Sequence, residues 1–125
     1  MAGSGQRILV VDDDRSLRLL CRVNLELDGF QVDEASTLEE ARTVLRGEAV
    51  AAVLLDVHVG PENGLELLEE LRAGGGPPVA LLTGESGLPP EARGRADAVL
   101  SKPFAIDELT STVERLAQSP STGSS

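Results

Sequence analysis

Ala49-Val50-Ala51-Ala52-Val53-Leu54-Leu55-Asp56 is the stretch that decides the fold. It is the most hydrophobic segment of the chain, partly β-branched, and it ends in a carboxylate. A short continuous apolar run of this kind reads as a central strand buried on both faces, the mark of a parallel sheet flanked by helices. The segments on either side agree. Upstream, Ser36-Thr37-Leu38-Glu39-Glu40 offers a capping box for a helix that runs to about Arg46 and stops at Gly47. Before it come a strand over about Phe30 to Glu34 and a helix with Leu17, Leu20, Cys21, Asn24 and Leu27 at helical spacing, stopped at Asp28-Gly29. The first strand is about Arg7 to Val11. Downstream, a helix from about Gly64 to Arg72 turns Leu65, Leu68 and Leu71 inward, and Gly74-Gly75-Gly76-Pro77-Pro78 breaks it. A fourth strand covers Val79 to Leu82 and ends at Thr83. Gly84 to Pro90 is hostile to helix, so the fourth helix is expected late and short, over Glu91 to Arg95. Ala98 to Leu100 makes the fifth strand and Ile106 to Leu116 the last helix. Five βα units of this length predict an α/β fold, a doubly wound five-stranded parallel sheet with a shortened or irregular fourth helix.

At 125 residues the chain has room for one domain with a proper core. That domain is expected over residues 6–117, with flexible termini at 1–5 and 118–125. The core must be aliphatic, because Phe30 and Phe104 are the only aromatics. A net charge of −10 argues against nucleic-acid binding, which needs a basic face, and suits cationic partners, divalent metal ions included. Cys21 is alone, which leaves it the role of a packed small hydrophobe. No apolar run approaches the roughly 20 residues needed to cross a bilayer. Met1 to Gly5 lacks the basic region and apolar stretch of a secretion signal, so a cytoplasmic protein without a membrane partner is expected. Met1 and the polar tail suit a complete chain.

Ten arginines accompany a single lysine, Lys102. The exception suggests a site that needs a compact point charge rather than a planar fork. Lys102 follows the fifth strand, and a lysine at a buried strand end usually has an anionic partner. Candidates are at hand: Ile8-Leu9-Val10-Val11 runs into Asp12-Asp13-Asp14, and the central strand into Asp56. Asp12, Asp13, Asp56, Thr83 and Lys102 therefore lie at the carboxyl ends of four predicted strands, where open α/β sheets bind their ligands. Converging carboxylates repel one another and raise a pKa unless a hard divalent ion such as Mg²⁺ relieves them. Beside such an ion one aspartate can act as nucleophile towards a phosphoryl donor, with Lys102 neutralising charge and the Thr83 hydroxyl donating to a phosphoryl oxygen. Phosphoryl transfer is the leading chemistry. Asp14 is read as a helix cap, and the acidic run Glu62, Glu66, Glu69 and Glu70 as a solvated helix face.

Taken in order, Val10-Val11-Asp12-Asp13, Leu54-Leu55-Asp56, Gly64 eight residues on, Leu81-Leu82-Thr83-Gly84 and Lys102-Pro103-Phe104 resemble a bacterial response-regulator receiver domain of the single-domain type. The resemblance covers about residues 6 to 117. It implies a flavodoxin-like (βα)5 topology with strand order 2-1-3-4-5. It implies Asp56 as phosphoacceptor and Asp13 as direct Mg²⁺ ligand, with Asp12 acting mostly through water and the His58 carbonyl as a further ligand. Thr83 would swing to the phosphoryl group, Lys102 would pair with the acids, and the Lys102–Pro103 bond would be cis. The phosphoryl donor would be a sensor histidine kinase or a histidine phosphotransfer protein, and the output would be binding to a downstream protein target. Such a domain assists its own phosphorylation and dephosphorylation without being an enzyme of independent turnover. His58 and Glu85 stand at the rim, tuning water access.

Three departures from the family pattern stand out. Val99 occupies the position where an aromatic usually couples to the threonine. The stretch from Thr83 to Lys102 is about three residues shorter than usual, and Gly60-Pro61 replaces an apolar-proline pair. Three other readings compete. A haloacid-dehalogenase-like phosphatase would use Asp12-Asp13-Asp14 loosely as its Asp-x-Asp. A flavodoxin-like nucleotide or flavin binder is disfavoured by a triply acidic first loop that would repel phosphate. A phosphorylation-independent docking module is the third.

Overall fold

The computed structural model describes residues 5–84, 88 and 90–118. The expectations for Glu85 and for the terminal segments 1–4 and 119–125 lie outside those residues. The elements run β1 (Arg7–Val11), α1 (Arg15–Leu27), β2 (Gln31–Ala35), α2 (Leu38–Gly47) and β3 (Val50–Asp56). A two-residue ribbon follows, β4 (His58–Val59) against β5 (Glu62–Asn63), then α3 (Leu65–Gly74) and β6 (Val79–Thr83). The chain continues through α4 (Pro90–Arg93), β7 (Ala98–Ser101) and α5 (Ile106–Gln118). The main sheet is wholly parallel with order β2-β1-β3-β6-β7, which in chain order of its five strands is 2-1-3-4-5.

The period-2 alternation of the strands sorts side chains to two faces. Ile8, Val10, Ala52, Leu54, Ala80, Leu82 and Leu100 point to the side that packs Cys21 and Leu25 of α1 and Leu109, Val113 and Leu116 of α5. Leu9, Val11, Val53, Leu55, Val79 and Leu81 point to the side that packs Leu38 and Ala41 of α2 and Leu67 and Leu68 of α3. The middle strands are thus buried on both faces, as their continuous apolar runs predict.

Capping chemistry fixes where the helices begin and end. The Asp14 carboxylate accepts the amide N–H groups of Ser16 and Leu17 at the start of α1. Gly29, at φ 98°, ends α1 in the left-handed region, with the N–H of Phe30 donating to the Leu25 carbonyl. The Thr37 hydroxyl accepts the Glu40 amide and the Glu40 carboxylate accepts the Ser36 amide, so α2 opens on the predicted box, its return bond falling one residue early. The fourth helix is a single turn of four residues.

Three expectations need correction. In α1 the buried positions are Cys21 and Leu25, whereas Leu20 and Leu27 are 43% and 77% exposed. The helix carries more apolar residues than one stripe can bury, so spacing alone finds Leu17 and Cys21, which join the core, and misses Leu25. In α3 the fully buried pair is Leu67 and Leu68, with Leu65 and Leu71 at the edge. Glu62 is not on a helix face: it sits in the ribbon, and its carboxylate accepts the Leu38 amide at 3.0 Å, closing the first turn of α2. Glu70 and Glu69 are ion-paired with Arg42 and Arg95 rather than only solvated.

Candidate functional site

β1, β3, β6 and β7 end at the same rim of the sheet, and each delivers one of the nominated groups. Asp12 follows β1, Asp56 is the last residue of β3, Thr83 the last of β6, and Lys102 follows β7. Register places Leu82 beside Asp56 and Ser101 beside Thr83, so the four strand ends are level within about a residue. The structure therefore brings Asp12, Asp13, Asp56, Thr83 and Lys102 to one edge.

Lys102 is the hub. Its Nζ donates to Asp12 Oδ2 at 3.0 Å and to Asp56 Oδ2 at 2.5 Å. Its backbone N–H donates to the Thr83 carbonyl at 2.8 Å, tying β7 to β6 below the site. The Lys102–Pro103 peptide is cis, as the resemblance implies. Burial disfavours the ammonium, but its hydrogen bonds to Asp56 and Asp12 outweigh this and hold the pKa above its ordinary value.

The carboxylates differ in environment. Asp12 is 1% exposed, and all its polar atoms are engaged. Its N–H donates to the Ala35 carbonyl, Oδ1 accepts the Asp14 amide at 2.9 Å, and Oδ2 accepts from Lys102. Burial pushes its carboxyl up to about 6; the amide of Asp14 and the ammonium of Lys102 pull the other way. Asp13 is exposed at the rim. Asp56 is buried, with Oδ1 accepting the His58 amide at 2.8 Å. The His58 side chain is exposed beside it. Thr83 is 2% exposed, and among the described residues its hydroxyl makes only a long 3.4 Å contact, to the Gly84 carbonyl.

One carboxylate oxygen from each of Asp12, Asp13 and Asp56 lies within 4.8 Å of the others. Three hard oxygen donors around one lysine, with one carboxyl already driven up by burial, are the donor set a divalent cation such as Mg²⁺ fits. The acidic cluster could hold that ion.

Gly64 makes the approach of α3 to this rim possible. A Cβ there would overlap the Asp56 carbonyl oxygen and stand 3.2 Å from the Val57 carbonyl oxygen, while the Gly64 N–H donates to Val57 at 2.7 Å.

Three contacts escape sequence reasoning. Arg18 Nη1 donates to the Asp12 carbonyl at 2.7 Å while its Nε donates to Glu34 at 3.0 Å. Arg22 holds the other oxygen of Glu34 at 2.9 Å. Burial raises the Glu34 carboxyl, but the hydrogen bonds from Arg22 and Arg18 together keep it below its ordinary value. The one advance signal is that Arg18 and Arg22 stand four residues apart on one helix face.

The chain matches the family described as response regulator receiver domain over residues 8–114. Response regulator MprA of Mycolicibacterium vanbaalenii is 37% identical over 114 residues, covering 88% of this chain and 49% of the relative. The chain thus spans about half the length of the curated relatives it matches. Among solved structures, a CheY-like receiver domain protein of Methanospirillum hungatei has a TM-score of 0.81 at 27% identity, covering 91% of this chain and 94% of that one. The response regulator TrrA of Thermotoga maritima, solved in complex with Mg²⁺ and BeF, has a TM-score of 0.77 at 32% identity, covering 89% and 98%.

Proposed function

We propose a function on one premise: the chain belongs to the response regulator receiver domain family. It is a receiver domain of two-component signalling. Residues 6–117 are its working unit, and Asp56 is its phosphoacceptor. A sensor histidine kinase or a histidine phosphotransfer protein supplies the phosphoryl group. An Asp56 carboxylate oxygen bonds to phosphorus as the donor's P–N bond breaks, and the departing imidazole nitrogen takes a proton from water.

Asp12, Asp13 and Asp56, with the His58 carbonyl, would hold Mg²⁺, which when bound neutralises charge on the transferring group. Lys102, already bonded to Asp56, stays beside the phosphorylated side chain and pairs with its oxygens. The Thr83 hydroxyl, whose contact to the Gly84 carbonyl is a long 3.4 Å, turns towards the new phosphoryl oxygens. Because Val99 offers no ring to rotate, the change at Thr83 passes through the backbone bond from Lys102 to the Thr83 carbonyl. The altered face then binds a downstream protein target. The domain assists this chemistry on itself and turns over no other substrate.

The observation that carries the reading is the Lys102 ammonium bridging Asp12 and Asp56 within a cluster of three carboxylates. The phosphatase reading needs Asp12 as nucleophile. Asp12 is 1% exposed against 7% for Asp56, which favours Asp56 as the group a donor reaches. The test is intact-mass spectrometry after incubation with acetyl phosphate and Mg²⁺. The proposal expects gain of one labile phosphoryl group by the unsubstituted protein and none by Asp56→Asn. Gain retained in Asp56→Asn and lost in Asp12→Asn would favour the phosphatase reading.

A further inference from the structure

Asp13 sits between two peptide planes that are each pinned from outside. The plane that follows it is held by the Asp14 N–H donating to Asp12 Oδ1 at 2.9 Å. The plane that precedes it carries the Asp12 carbonyl, which accepts from Arg18 Nη1 at 2.7 Å. That distance is at the short end for N–H···O, as a charged donor makes it. Arg18 is itself held, because its Nε donates to Glu34 and Arg22 fixes the second oxygen of the same carboxylate. Its side chain is only 14% exposed, so the guanidinium is locked between β2 and the acidic loop.

We propose that Arg18 is the positioning residue of the acidic loop: its fork, anchored on Glu34, orients the Asp12 carbonyl and so presets Asp13 to meet a divalent cation. This rests on the reading that Asp12, Asp13 and Asp56 hold Mg²⁺. The geometry needs an arginine. One nitrogen bonds the carboxylate and another the carbonyl at fixed mutual angle, whereas a lysine offers one nitrogen and can serve only one of the two. Glu34 offsets the guanidinium charge, which leaves the cluster's own negative charge available to the metal ion. Arg18 works through geometry rather than charge.

The test is Mg²⁺ affinity measured by amide chemical-shift titration, with melting temperature in EDTA followed in parallel by circular dichroism. Arg18→Gln and Arg18→Lys should each weaken Mg²⁺ binding by about tenfold, the low end for loss of an outer-shell partner. Arg42→Gln removes the same charge from the exposed pair with Glu70 and should leave the affinity unchanged. If Arg18→Gln does not fold, Arg18→Lys, which keeps charge and stem, decides. Unchanged affinity in the Arg18 variants, with loss in Asp13→Asn, overturns this proposal and leaves the site reading intact. Unchanged affinity in Asp13→Asn as well overturns both. An equal loss in Arg42→Gln assigns the effect to general loss of stability, and full affinity in Arg18→Lys alone shows that one nitrogen suffices; either result refutes the role of the fork.

Discussion

Replacing Asp12 with asparagine should stabilise the metal-free protein. The Asp12 carboxyl is pushed up to about 6 from an ordinary 3.8, chiefly by burial. A raised carboxyl binds its proton more tightly in the folded than in the unfolded chain. Between those two values stability therefore falls as pH rises, and above the folded value the full cost is present. A shift of about 2 pH units corresponds to about 3 kcal/mol, a ceiling that already contains the attraction of Lys102. Asparagine keeps Oδ1 for the Asp14 amide but turns its NH₂ towards the Lys102 ammonium, a mismatch of about 1 kcal/mol. The net gain is about 2 kcal/mol at pH 7.5, shrinking towards zero as the pH falls below 4, where Asp12 becomes protonated in both states. Urea unfolding followed by far-UV circular dichroism is the assay, since the chain has no Trp or Tyr to report by fluorescence. The urea midpoint in EDTA should rise by about 1 M, taking a typical slope for a small domain. Mg²⁺ should narrow the difference, because a ligand at ten times its Kd stabilises the unsubstituted protein by about 1.4 kcal/mol. A midpoint at pH 7.5 equal to or below that of the unsubstituted protein would refute the reasoning. So would a difference that does not change between pH 4 and 7.5.

Gly64→Ala forces a Cβ onto the Asp56 carbonyl and should cost about 3 kcal/mol in thermal unfolding, the upper end for overpacking. Gly47→Ala, which meets nothing within 4 Å at the end of α2, should be neutral or slightly stabilising. Lys102→Gln strips the cation from two buried carboxylates. It should lower stability in EDTA by about 2–3 kcal/mol, less than for a fully buried pair because Lys102 is 28% exposed, with partial recovery in Mg²⁺. Burial, reinforced by the charge of Asp12, pushes the Cys21 thiol up to about 12. Iodoacetamide at pH 8 should therefore label Cys21 only when urea unfolds the chain.

The parallel sheet was legible because strands buried on both faces leave uninterrupted apolar runs, and Val50–Asp56 is such a strand. The site was legible because its side chains sit at strand ends, so order along the chain translates directly into position on the rim. Helix faces were harder. α1 leaves Leu19, Leu20, Val23 and Leu27 exposed, while Leu25 turns inward to a cluster built from the sheet and α5. Contacts between distant segments carry no local signature. Arg18 reaches Glu34 across 16 residues and Glu62 reaches Leu38 across 24, so each pair reads in sequence as solvated charge.

The central claim is that Asp56, and neither of the acids after β1, takes the phosphoryl group. Reduction of the acetyl-phosphate-treated protein with borohydride converts an aspartyl phosphate to homoserine, and peptide mass mapping then locates it. The account predicts homoserine at position 56 alone, and only when Mg²⁺ is present during phosphorylation. Homoserine at position 12 or 13, or at 56 regardless of Mg²⁺, would contradict it.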